Sequence, residues 1–256
     1  MSTFSAFEHD VALHISDHPI VRMNRYTSWF SRGEASLDEL RHFTVQFSVF
    51  SHLFIEAQLR KCINAPDITS YRAGKEILLN ELGVTFTPAD TVDGGTFRFR
   101  AAHFEWLTHF AEHLDLPFEA LGKRRHGSAP TLAFCDALMR WYASEDPSES
   151  TGASFAIEHW AAAGFWKDLI AGLRRIKAQR LPDLPLGFWV WHDEVEDRHA
   201  QHTTDELAAA FAQPGFDRGR FFNAATAVLD AVELFWEGLY SDAGLAADSD
   251  KAAPAA

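Results

Sequence analysis

The sequence predicts an all-α fold, a helical bundle of about seven helices. Apolar residues recur at three- and four-residue intervals through most of the chain, and the strict alternation of half-buried strands is nearly absent. Helix start and stop signals punctuate these periodic stretches. Apolar residues make up 47% of 256, enough to bury a large core within one domain.

The elements follow in order. Residues 19–31 read as a helix that ends at Arg32-Gly33. Ser36-Leu37-Asp38-Glu39 is a capping box: a hydroxyl cap, with a carboxylate three residues on to reach back to it. It opens a long helix to about residue 65, stopped by Pro66. Residues 67–82 form the next helix, closed by Gly83. Residues 84–95, rich in Thr, Pro, Asp and Gly, read as a loop. Further helices are predicted over 97–114, 131–144, 154–180, 187–212 and 217–240. Short breaks at Gly127, Pro182, Pro185 and Gln213-Pro214-Gly215 separate the later ones. No repeat or linker divides the chain, so residues 1–242 are expected to form one domain and 243–256 a disordered tail.

Charge and composition exclude several functions. The net charge of -13 argues against nucleic acid and against an anionic membrane surface, which both require a basic face. No residue run is long and apolar enough to span a bilayer, and the first residues lack a signal-peptide pattern, so a cytoplasmic protein is expected. Cys62 and Cys135 are far apart and are expected to be reduced core thiols. The 22 Phe and 8 Trp suit an aromatic core or a pocket for an apolar guest.

The richest chemistry lies in Trp191-His192-Asp193-Glu194-Val195-Glu196-Asp197-Arg198-His199. At about 100° per residue, His192, Glu196 and His199 share one helix face within an arc of about 60°. Two imidazoles and a carboxylate on one face suit iron, manganese or zinc. Asp193 and Asp197 form a competing acidic face that is solvated in the ordinary case. Glu158 falls on an apolar seam with Ala162, Phe165 and Leu169, where a carboxylate needs a cation or a salt bridge. Glu81, at a helix end, and His103 are further candidates, with His109, His113 and His202 as rivals. Glu196 and His199 form a Glu-x-x-His motif, of which ferritin-like di-iron bundles use two.

Several segments together resemble the haem-oxygenase-like di-iron oxidases and oxygenases, an iron-containing redox enzyme family, over roughly residues 15–240. They are His18-Pro19, Trp29-Phe30 with residues 33–41, Leu78-Leu79-Asn80-Glu81-Leu82-Gly83, His103-Phe104-Glu105-Trp106-Leu107, Glu158, and the His192, Glu196, His199 face. The resemblance implies a haem-oxygenase-like bundle with six metal ligands: Glu81, His103, Glu158, His192, Glu196 and His199. It favours His103 over His109 and His113, and His199 over His202. It further implies two Fe(II) ions, dioxygen as co-substrate and a small-molecule substrate. That substrate is amino-acid, amine or fatty-acid derived, undergoing N-oxygenation or oxidative C–C cleavage in a biosynthetic pathway. The segment between Glu81 and His103 is longer than in that family, and its residues 85–100 are expected to form a lid or pocket wall. Glu196 stands where the family commonly has Asp. A homodimer is compatible with the fold.

Trp106, Phe155, Trp160, Phe188 and Trp191 are candidate pocket aromatics. Two other readings stay open. One is a metal-free relative of the same fold, a cofactorless oxidase or a thiaminase-like hydrolase needing a pocket cysteine. The other is a small-molecule or haem-binding helical module using His14 or His18.

Overall fold

The computed structural model describes residues 3–89 and 91–246, with the side chains of all of these except 195–206. The fold is all-α. An isolated antiparallel bridge between Val84 and Phe97 is the one β feature among the described residues. Short helices come first: α1 (Phe4–Val11), α2 (Pro19–Arg22) and α3 (Arg25–Phe30). The bundle proper comprises α4 (Leu37–Ile63), α5 (Ile68–Glu81), α6 (His103–Glu112), α7 (Ala129–Ala137), α8 (Pro147–Ala161), α9 (Phe165–Gln179), α10 (Gly187–Phe211) and α11 (Arg218–Asp242).

The capping box of α4 forms: Glu39 N donates to Ser36 Oγ at 3.2 Å, and Ser36 N donates to Glu39 Oε2 at 2.6 Å. Three elements differ from the sequence reading. Residues 19–31 are two helices, because extended Met23 interrupts them and the Asn24 side chain caps α3 through Thr27 N at 3.1 Å. Residues 154–180 are also two. Asp146 caps Ser148 N and Glu149 N at 3.0 and 3.2 Å, so α8 starts early at Pro147. It stops at Ala161, and Gly164, at φ +93°, turns the chain into α9. Left-handed backbone is cheap only for glycine. The third is α6, which starts at His103 because residues 97–102 belong to the preceding loop.

The core is one hydrophobic cluster running from Phe7 to Leu239. Phe43 sits inside it against Tyr26, Phe30, Phe47, Trp189 and Trp236. Each such aromatic side chain contributes roughly 1.5–3 kcal/mol by burial. Helix α11 packs against α7 and α8. At Gly152 a Cβ would collide with the backbone of Phe221, so glycine permits the α8–α11 contact. Ala243 and Leu245 pack against the core, which corrects the expected start of a disordered tail; the tail beyond 246 lies outside the described residues. Among the described residues, no helix is long and apolar enough to cross a membrane.

Candidate metal centre

Glu81 is the last residue of α5, and His103 is the first of α6. The loop between them folds back on itself. Arg98 N donates to Gly83 O at 2.9 Å, and Asn80 Nδ2 donates to Val84 O at 2.9 Å. Gly83 has φ +103°, and a Cβ there would sit 2.6 Å from Arg98 O, so this turn requires glycine. The result is a closed loop whose two ends bring α5 and α6 together. The long separation between Glu81 and His103 in sequence is thereby absorbed.

His103 Nδ1 lies 2.8 Å from Glu81 Oε2. His103 is 3% exposed, yet the approach lacks hydrogen-bond alignment, and Nδ1 is buried without a hydrogen-bond partner. The two atoms are close, but the contact is not aligned as a hydrogen bond. Donors held at a right angle by one metal at ~2.1 Å stand about 3 Å apart. A carboxylate at a helix C-terminus also opposes the helix dipole, which a cation would offset.

His192 completes the group: donor atoms of Glu81, His103 and His192 all lie within 4.8 Å of one another. Its Nδ1 donates to Phe188 O at 2.7 Å, one turn back along α10, which leaves the lone pair on Nε2. Trp166 stacks on the ring at 4.8 Å and Phe188 packs at 4.3 Å, so its orientation is set on two sides. Burial and the neighbouring His103 push the His192 pKa down to about 3, against smaller opposing effects from Glu81 and the Phe188 carbonyl. It is a neutral imidazole at physiological pH. Burial alone would raise the Glu81 carboxyl, but His103 and His192 overcome it and hold the group below the usual carboxylate range.

The three donors line a cavity of about 110 Å³ that Glu158 also lines. Glu158 reaches it for a reason other than the predicted seam: α8 ends before Leu169, so the two residues are on different helices. Glu196 and His199 lie on α10, but their side chains fall outside the described residues. Exposed His109 faces Glu112 at 3.3 Å, and His113 bonds to His109 O at 3.0 Å, away from the cavity lining.

Of the candidate pocket aromatics, Trp160, Phe188 and Trp191 line the cavity. Trp106 packs behind Trp191 at 5.9 Å, and Phe155 stacks on His159 at 5.9 Å. Sequence reasoning missed Phe47, Phe50 and Phe54, although their spacing on α4 places them on one face. It also missed Trp166, which arrives from α9 after the break at Gly164. Phe86 of the 84–100 loop lines the cavity, so the expected pocket wall is present.

The alternative readings find little in this geometry. Neither buried cysteine lines the cavity. Burial raises the Cys62 thiol and pushes Cys135 to about 12, the reverse of an activated nucleophile. His14 is exposed and lies against Phe222. His18 groups with Asp230 and Glu233, but Ile20 N donates to its Nδ1 at 3.4 Å. The ring proton then sits on Nε2, 3.2 Å from Asp230 Oδ1, which leaves no lone pair for a metal or haem.

No model of a known protein family matches the chain, and no curated protein matches its sequence. Solved structures do. A CADD-like protein of unknown function from Nostoc punctiforme superimposes with TM-score 0.65 at 16% identity, covering 94% of this chain and 98% of that one. A second structure of that protein gives TM-score 0.59 at 16% identity, covering 94% of both chains. A domain of unknown function with a heme oxygenase-like fold, from Shewanella denitrificans, gives 0.61 at 12% identity, covering 96% and 95%. The chain therefore has the haem-oxygenase-like helical fold.

Proposed function

We propose that this protein is a non-haem di-iron oxidase or oxygenase that uses dioxygen to oxidise a small organic substrate. The observation that carries the reading is the convergence of Glu81, His103 and His192 on one point of an aromatic-walled cavity, with His103 Nδ1 buried and unpartnered. Such a set fits a divalent cation, which would satisfy the orphaned nitrogen and the buried carboxylate together.

Glu81, His103 and His192 would hold one ion, with Glu158 on the same cavity wall and Glu196 and His199 as the remaining ligands of the pair. When bound, ferrous iron supplies the electrons and open coordination positions for dioxygen reduction. The chain's own groups prepare the site. The Phe188 carbonyl fixes the His192 tautomer, so Nε2 presents its lone pair without first losing a proton. The depressed Glu81 pKa keeps that carboxylate anionic. Aromatic walls, with Phe86 from the loop, limit water around the reacting molecule.

Anaerobic titration with ferrous iron tests this reading. Two ions bind per chain, and admission of oxygen then produces iron-dependent oxygen consumption that His192→Ala and Glu158→Ala abolish. A wild-type chain that takes up no iron would sink it.

A further inference from the structure

Two histidines that the buried centre does not use sit together further along α6. His109 and His113 are one turn apart, and their ring centres lie 4.9 Å from each other. His109 follows His103 by about 9 Å of helix rise and is turned about 120° away from it. Its side chain is 61% exposed, whereas His103 is buried.

Both rings have Nδ1 engaged. His113 N bonds to Phe110 O at 3.2 Å, and the His113 ring donates from Nδ1 to His109 O at 3.0 Å, so the side chain caps a carbonyl of the last turn. A carbonyl oxygen only accepts, so Nδ1 carries the proton and Nε2 keeps its lone pair. His109 Nδ1 lies 3.3 Å from Glu112 Oε2, and donation to that carboxylate leaves its Nε2 lone pair in the same way. A carboxylate or carbonyl on the far nitrogen is what orients histidines that bind metals.

The spacing and the charge both suit one cation. Two imidazoles that share a metal at about 2.1 Å, with an angle there between a right angle and a tetrahedral one, have ring centres about 4.5–5.2 Å apart. The observed separation lies inside that range, and exposed His109 can turn its ring onto the ion. Glu112 and, one turn before His109, exposed Glu105 bring negative charge to the same helix face. The last turn of a helix favours a cation, and the chain as a whole carries -13.

We propose that His109 and His113 form a surface site for a divalent transition ion that prefers nitrogen, such as copper(II), nickel(II) or zinc(II), with Glu112 holding the His109 ring. A bound ion clips the last turn of α6. The site is separate from the Glu81, His103 and His192 group and does not depend on the function proposed above.

The test uses the full-length chain labelled with ¹⁵N, watching its amide signals during titration with copper(II) alone. Copper(II) at up to one equivalent should broaden the signals of residues 109–116. His109→Gln and His113→Gln should each abolish this broadening. Glu112→Gln should weaken copper binding about tenfold, the low end for a residue that orients a ligand. Excess magnesium(II), which prefers oxygen, should not reverse the broadening. The wild-type pattern decides alone if a variant fails to fold. The proposal is overturned if residues 109–116 stay sharp, whether or not signals of residues 77–81 beside the buried centre broaden. It is equally overturned if either histidine variant broadens as wild type does, which would mean adventitious surface binding, or if magnesium(II) restores the signals, which would mean that the carboxylates alone attract the ion.

Discussion

Changing Glu81 to glutamine separates a metal site from an ordinary ion pair. Glu81 Oε2 stands 2.8 Å from His103 Nδ1, and the Glu81 side chain is 14% exposed. If the pair exists to hold a cation, the metal-free chain keeps a buried carboxylate and an orphaned imidazole nitrogen. Glu81→Gln removes the charge, keeps the shape and offers an amide N–H to Nδ1. Satisfying one buried polar atom is worth roughly 1–3 kcal/mol. For a chain of this size each kcal/mol moves the thermal midpoint by about 2–4 °C. The substitution should therefore raise the melting temperature of chelator-treated protein by about 2–12 °C. It should also remove the stabilisation by cobalt(II), which in wild type at a hundredfold excess over Kd is about 2.7 kcal/mol. Scanning calorimetry with and without cobalt(II) reads both effects. A lower midpoint for Glu81→Gln, with the same cobalt response in both proteins, would mean that Glu81 and a protonated His103 form a simple ion pair.

Three further outcomes are expected. His192 has a folded pKa of about 3 against an ordinary 6.5, so between these values the unfolded chain binds the extra proton. Metal-free stability is therefore full above about pH 6.5 and falls as pH drops toward 3, by up to about 1.4 kcal/mol per pH unit from this group. His192→Phe should flatten the fall in urea midpoints between pH 7 and 5, and an unchanged slope would contradict the assignment. Gly152→Ala should lower the thermal midpoint, since its Cβ drives α8 off the Phe221 backbone at roughly 1–3 kcal/mol; an unchanged midpoint would show that the two helices do not pack so closely. The Cys62 and Cys135 thiols, buried and raised in pKa, should resist an aromatic disulfide reagent at pH 8 and both react in denaturant. Rapid reaction of either in the native chain would refute their placement.

Much of the fold was legible in the sequence because its determinants are local. The Ser36 box, the stops at Gly83 and Gln213-Pro214-Gly215 and the apolar periodicity each act within a few residues, and the corresponding helices formed. The errors came where one residue outweighed a periodic pattern. Asn24 and Gly164 each split a predicted helix, and Asp146 started α8 seven residues early. Among the site residues, His192 was readable from its helix face alone. Glu81 was not, because a carboxylate at a helix end is solvated unless something folds over it.

Local chemistry thus determined the all-helical class, most helix positions and which residue types could bind a metal. The tertiary structure decided which of them meet. It closed the 82–102 segment into a loop that sets Glu81 against His103, chose His103 over His109, and brought Trp166 from α9 onto the His192 ring. Those choices depend on contacts between elements far apart in the chain, which helical periodicity does not encode.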